Sequence, residues 1–315
     1  MQQYSYDGAF MQIPQILRRA LTCGVPVAAL IATVGAAGCG KADAARPVAR
    51  VSLEPSKKAV ALGSVIDLTY KFVVAPDAKI DGDYRVFVHL NREDGTMIWN
   101  DDHELPAQYK TSTWQPGQTI EYMRTRFMPM VSYVGPATVE MGLYRDDERL
   151  ALEGPEASDK ESKAKAYKVA TIDLLPRSES IQVAKLSGWH GQEFAPEDPT
   201  VDWQWTQKVA VLTIKNPKRD VTFYLEYDAQ SDVFGAQPQQ VTVSVGDTKL
   251  STFPANSKEA RLLRIPVTAA QLGTGDVAEF HIDVDRTFVP ARALNAGTDM
   301  RELGIRVYHA AVEPK

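Results

Sequence analysis

The chain has 315 residues, of which 44 % are hydrophobic and 24 % charged, with a formal net charge of -5. That balance fits a water-exposed body and leaves no apolar run after the N-terminal region long enough to span a bilayer. Nothing after residue 45 forms a basic stripe, which argues against nucleic acid or an anionic lipid surface as partner.

The N-terminal region reads as a secretory leader. Arg18 and Arg19 form a positive cluster, an apolar run follows from Leu21 to Val34, and Ala36-Ala37-Gly38-Cys39-Gly40 close it with small residues. Counted from Met1 the leader is long for its kind; counted from Met11 it has the usual length, which points to Met11 as the start. Small residues directly before a cysteine resemble the bacterial lipobox, with alanine at Ala36 where leucine is commonest. The resemblance implies that residues 1–38 are a cleaved signal peptide and that Cys39 carries the acyl chains, palmitate among them. The partner it implies is a lipid bilayer. The place it implies is the cell envelope, at the periplasmic face or the outer membrane. Gly40, rather than the aspartate typical of inner-membrane retention in enteric bacteria, leans toward the outer membrane. The alternative is ordinary cleavage beside an incidental cysteine. Losing Arg18, Arg19 and Asp7 takes the net charge from -5 to -6. The two cysteines are Cys23 and Cys39, so the body after the tether has none and can form no internal disulfide. Gly35 to Lys41 has the glycine and lysine spacing of a phosphate-binding loop. Ala42 then stands where Ser or Thr is needed, and the flanking strand and helix are missing.

Residues 39–47 form a short tether. Beyond it hydrophobicity alternates with period two: Val65 to Val73, Tyr84 to Leu90, Glu121 to Phe127 and Thr138 to Tyr144, with turn chemistry at Glu93-Asp94-Gly95 and Gln115-Pro116-Gly117. Residues 153–165 are charged and polar, a solvated loop before a strand from Tyr167 to Leu174. Pro176 to Ser180 reads as a linker. Strands follow over Val209 to Ile214, Val221 to Tyr227, Gln240 to Val245, Arg261 to Val267, Ala278 to Val284 and Leu303 to Tyr308, and Thr268 to Leu272 suggests one helical turn. The reading is all-β: two tandem β-sandwiches, immunoglobulin-like or jelly-roll-like, over 48–175 and 181–315, joined by 176–180.

Phe87-Val88-His89-Leu90, Asp94-Gly95, Asp102-His103, Trp114-Gln115-Pro116-Gly117 and Gly142-Leu143-Tyr144 resemble a β-sandwich module at the C-termini of some bacterial membrane glycosyltransferases. Gly188-Trp189, Glu193-Phe194, Trp203-Gln204-Trp205-Thr206, Phe288-Val289-Pro290 and Arg301 to Ile305 resemble a second module from the same setting. The resemblance spans most of the chain after the tether. It implies an accessory role outside the cytoplasm, near surface glycans, and no catalytic residues.

Trp203 and Trp205 share a strand face, as stacking platforms for sugar rings if exposed and core anchors if buried; the core reading is the commoner outcome. Trp189, beside His190, is the better candidate for an open platform. His281, Asp283 and Asp285 share a face, but spacing along a strand rarely converges three ligands on one ion, so a solvated face explains them better. His89 and His103 with Asp94, Asp101 and Asp102 could form a loop site, without a known metal spacing. No cofactor and no metal is implied. No nucleophile motif is found, although a dispersed carboxylate pair stays open. The expected function is a non-catalytic binding or assembly module of the envelope, with a glycan or an envelope protein as partner. The alternatives are a hydrolase of envelope polysaccharide and a purely protein-binding structural subunit.

Overall fold

The computed structural model describes residues 46–155, 164–198, 201–294 and 297–315. The residues read as a signal peptide, Cys39, most of the expected tether and much of the stretch 153–165 lie outside the described residues. Residues 45–315 form one compact unit holding two large hydrophobic cores, one on each side of Pro176 to Ser180. The protein is all-β, built from packed sheets.

Alternation builds the first lobe. Its strands are β1 (Ala49–Pro55), β2 (Ala59–Ala61), β3 (Val65–Val74), β4 (Arg85–Asn91), β5 (Met97–Asn100), β6 (Thr119–Phe127), β7 (Gly135–Arg145), β8 (Glu148–Arg149) and β9 (Tyr167–Leu175). One sheet has the order β1-β3-β6; the other runs β2-β9-β7-β4-β5, with β8 paired to β7. Every pairing here is antiparallel except β2 with β9. Val51, Tyr70, Phe72 and Ile120 of one sheet and Val86, Val88, Met141 and Ile172 of the other are buried in the same cluster. Each such side chain contributes about 1.5–3 kcal/mol of apolar burial.

The second lobe comprises β10 (Val183–Phe194), β11 (Asp202–Lys215), β12 (Val221–Asp228), α1 (Ser231–Phe234), β13 (Gln239–Val245), β14 (Thr248–Ala255), β15 (Arg261–Val267), α2 (Ala269–Leu272), β16 (Val277–Val284), α3 (Pro290–Ala293) and β17 (Arg306–Pro314). Its strands follow the order β14-β13-β16-β11-β17-β12-β15, with β10 also on β11. The long β11 serves two layers. Val209 to Lys215 pair with β16, while Gln204 and Trp205 pair with β17. β10 follows β11 through three register shifts, after Lys185, Ser187 and Trp189. Bulges of this kind bend a strand from one layer into the next. Gly188 lies in the bulged stretch at φ +75°, and a Cβ there would sit 1.8 Å from the Val209 carbonyl oxygen. Phe223 of β12 stacks on Phe280 of β16 at 4.7 Å across the core. Thr268 and Gln271 form a reciprocal capping box on α2, the one helical turn visible in the sequence.

Polar contacts hold the lobes together. Lys57 pairs with Glu313 at 2.7 Å, and Glu313 also accepts from the Val65 amide. Arg264 pairs with Asp67, and the His309 ring stacks on Phe127 at 4.7 Å.

Candidate functional site

Two grooves lie on the outer face of the first lobe's larger sheet. In β4 the core takes Val86, Val88 and Leu90, so Arg85, Phe87, His89 and Asn91 point outward. In β7 the core takes Val139, Met141 and Leu143, so Thr138, Glu140, Gly142 and Tyr144 point outward. Register then pairs Arg85 with Tyr144, Phe87 with Gly142, His89 with Glu140 and Asn91 with Thr138. The Phe87 ring lies against Gly142, where a Cβ would come within 2.5 Å of it. The segment around Lys165 crosses at the same point, since that Cβ would also meet the Lys165 carbonyl at 2.7 Å. Arg149 and Lys165 tie this strap down. Arg149 donates to the Ala164 carbonyl at 3.1 Å, and the Lys165 ammonium donates to the Arg149 carbonyl.

One groove, about 320 Å³, is lined by Phe87, His89, Asp102, Tyr144, Asp147 and Arg149. The Arg149 guanidinium stands 4.4 Å over the Phe87 ring, and that of Arg85 5.6 Å over Tyr144. His89 Nε2 lies 3.6 Å from the Asp102 carboxylate. Asp146, at φ +50°, turns the β7–β8 hairpin at the groove's rim. The other groove, about 340 Å³, has Arg92, Asp94, Thr138, Glu140 and Lys168 among its walls. Both volumes fall at the small end of ligand pockets. Each combines carboxylates with a cationic group, and the first adds the half-buried ring of Tyr144, Phe87 being 2 % exposed beneath Arg149. That chemistry suits a polyhydroxylated ligand, with hydroxyls paired to carboxylate and guanidinium and C–H faces laid on rings.

The polar residues expected at one loop site part company. His89 and Asp102 face the first groove, whereas Asp94 caps its own turn, accepting from the Thr96 amide at 2.8 Å in the second. Asp101 and His103 turn inward. Asp101, 2 % exposed, accepts two bonds from Arg124, contacts the Arg126 guanidinium at 2.8 Å and accepts from the Tyr70 hydroxyl at 2.9 Å. His103 Nδ1–H donates to the Asp101 carbonyl, which can only accept, leaving Nε2 to accept from the Tyr122 hydroxyl at 2.8 Å. Burial, aided by the Arg124 charge, holds the His103 pKa down at about 4, so the ring is neutral. Burial raises the Tyr70 and Tyr122 pKa values. The cluster is a closed structural network.

It has a pH signature. The unfolded chain protonates histidine near 6.5 and the folded chain only near 4, so between those values the unfolded state binds more protons. Stability from His103 is complete above pH 6.5 and is lost as pH falls to 4, by about 3 kcal/mol. We expect the urea midpoint to fall between pH 6.5 and 4.5 and the slope to flatten in His103→Gln. An unchanged slope in that variant would remove His103 from the account.

In the second lobe the tryptophans are not an open platform. Trp189 is half-buried against the core, donates to the Val211 carbonyl at 3.0 Å and has the Lys185 ammonium 4.9 Å from its ring centre. His190 Nε2–H donates to the Glu302 carbonyl. Trp203 and Trp205 do share a face, with Arg306 between them at 4.9 and 5.6 Å. Trp205, 6 % exposed, packs edge-on against Phe288 in a satellite core. Trp203 remains half-buried and donates to Glu193 at 3.1 Å. Arg306 is neutralised by a bidentate pair with Asp228, which also accepts from the Tyr308 hydroxyl. His281 and Asp283 alternate with buried Phe280, Ile282 and Val284 on a solvated face that Asp285 continues. Among the described residues, no three His, Cys, Asp or Glu side chains gather as a metal site would require.

Hydrogen bonds from Ser112, Thr96 and Arg301 hold Asp83, Asp94 and Asp299, respectively, below the ordinary carboxylate range.

By sequence the chain matches no protein-family profile and no curated protein. Among solved structures it is similar over 84 % of its length to a Bacteroides uniformis β-glucuronidase, at 8 % identity, TM-score 0.30 and 30 % of that chain. It is similar over 84 % to a carbohydrate-binding module of the β-sandwich superfamily, at 10 % identity, TM-score 0.24 and 98 % of that chain. It is similar over 41 % to a Pseudomonas fluorescens alkylpurine DNA glycosylase bound to DNA, at 14 % identity, TM-score 0.26 and 30 % of that chain. The chain thus spans 30 % of the length of both enzymes. At such TM-scores none of these likenesses bears on function.

Proposed function

We propose that this protein is a lipid-anchored envelope module that binds glycan, without turnover, on the outer face of its first lobe. The observation that carries the reading is the pair of grooves divided by the Lys165 strap, in which aromatic, carboxylate, amide and guanidinium groups alternate in register. The lipobox-like stretch around Cys39 supports the anchor, and the resemblance to glycosyltransferase-associated modules supports the ligand class.

Calorimetric titration of the full chain with envelope oligosaccharides tests the ligand. Tyr144→Ala should weaken binding about tenfold, the value of one lost ring contact, and leave unfolding unchanged. Products of cleavage in the same mixtures would favour the hydrolase instead. Cys39→Ser tests the anchor: the protein should move from the membrane pellet to the soluble fraction. Mass spectrometry of the wild type should find an acylated N-terminus at Cys39, and an unmodified terminus elsewhere would end that part of the proposal.

A further inference from the structure

We infer that His103, although it lies in the core, is a positioning residue for the groove of Tyr144: it frees the Val88 amide to hold the Asp102 carboxylate there, as the acceptor for a hydroxyl of the glycan. The inference rests on the glycan reading and adds to it the group that receives the sugar and the residue that aims it.

One rung of a ladder is missing. β4 and the chain that follows β5 run antiparallel, with His89 opposite Asn100 and Val86 opposite His103, so Val88 stands opposite Asp101. Val86 and His103 exchange both backbone bonds, each at 2.9 Å. Two residues on, a regular ladder repeats that exchange. The Asp101 amide does donate to the Val88 carbonyl at 2.8 Å, but the Val88 amide donates to Asp102 Oδ1, at 3.0 Å, instead of to the Asp101 carbonyl. That carbonyl is taken by His103, which is buried and neutral, with its Nδ1 proton committed to it. Without the imidazole, the Asp101 carbonyl would return to the Val88 amide and release Asp102.

The exchange fixes a charge in the groove. Asp101 and His103 turn into the core, and Asp102 between them turns out. Its carboxylate rests on the β4 backbone, with Oδ1 3.6 Å from His89 Nε2, and both His89 and Asp102 line the groove. Oδ1 is occupied by the amide and faces the imidazole; Oδ2 has no hydrogen bond among the described residues, and the side chain is 29 % exposed. A carboxylate oxygen without a protein donor accepts a sugar hydroxyl in the stronger, charge-assisted form. Because the backbone bond already holds the group, less side-chain entropy is lost on binding.

Nuclear magnetic resonance tests the aim. Calorimetry of the full chain, with oligosaccharides released from the envelope by mild acid, tests its use. In the wild type the Val88 nitrogen should couple through the hydrogen bond to the Asp102 carboxyl carbon. A coupling to the Asp101 carbonyl carbon overturns the inference, with no variant needed. His103→Phe keeps a ring against Tyr70 and Tyr122 but cannot donate. There the coupling should pass to the Asp101 carbonyl, and affinity should fall about tenfold, as it should in Asp102→Asn. The double variant should bind no more weakly than either single one, which a general loss of stability would not produce. Tyr122→Phe removes the other hydrogen bond of the same imidazole and should bind as the wild type does. If it weakens binding as much as His103→Phe, His103 is structural only and the inference is wrong. If Val88 is coupled to Asp101 while Tyr144→Ala still weakens binding, the inference falls and the glycan reading stands. If Val88 is coupled to Asp102 but no oligosaccharide binds, the glycan reading falls and takes the acceptor role of Asp102 with it.

Discussion

Gly188→Ala is expected to destabilise the second lobe by about 4 kcal/mol. Two independent penalties add. At φ +75° any residue with a Cβ pays about 1–2 kcal/mol for left-handed backbone. The new Cβ would also lie 1.8 Å from the Val209 oxygen, 2.7 Å from its carbonyl carbon and 2.8 Å from the Ala210 Cα. These are backbone atoms of the central strand β11, which pairs with β10, β16 and β17, so they have nowhere to retreat. For a body of this size the loss corresponds to a fall of roughly 10 °C in melting temperature. Gly191→Ala in the same strand is the control, because no heavy atom lies within 4 Å of its Cβ. Calorimetry of the two variants decides the matter. A Gly188→Ala midpoint within 2 °C of the control would mean that β10 reaches both layers by another route.

The second large effect belongs to Asp101→Asn, for which we expect a loss of about 3 kcal/mol. One carboxylate, 1 % exposed at its side chain, serves two guanidiniums and a phenol. Removing its charge leaves Arg124 and Arg126 facing each other across a neutral amide. Breaking a buried pair from one side typically costs about 3–5 kcal/mol. The two guanidiniums are 28 % and 33 % exposed, so water relieves part of that cost and the estimate sits at the low end. Tyr70→Phe, which removes a single hydrogen bond to the same carboxylate, should cost about 1–2 kcal/mol. Equal losses in the two variants, read by urea unfolding at pH 7, would show that the charge contributes nothing beyond the bond.

How much of this was legible in the sequence depends on whether a strand shows water one face. β3, β6, β12, β13, β15 and β16 do, and their alternation marked them out within a residue or two. β10 and β14 did not stand out. β10 is mostly exposed, and its bulges break the period that would reveal it; β14 buries only Ala255 fully. The strand expected from Leu303 begins at Arg306 and runs on to Pro314, because Leu303 bridges to Phe288 instead. At the site, the tryptophan pair drew attention by composition, and the structure places one of its rings in a satellite core. The first-lobe grooves were harder to see. Phe87-Val88-His89 and Gly142-Leu143-Tyr144 were visible as strings, but that Phe87 lies against Gly142 depends on the β4–β7 register. Register joins residues more than fifty positions apart and leaves no local trace.

The three register shifts of β10 also bear on how the protein behaves at high local density. Among the described residues β10 pairs with β11 alone, which leaves its other side an edge that an extended chain could approach. A straight edge of twelve residues would be a template for stacking copy upon copy into protofibrils. Broken after Lys185, Ser187 and Trp189, this one offers a foreign strand no long in-phase ladder, and Lys185 adds a charge where such a ladder would begin. The irregularity that turns the corner of the sandwich therefore also keeps neighbouring copies from zipping together.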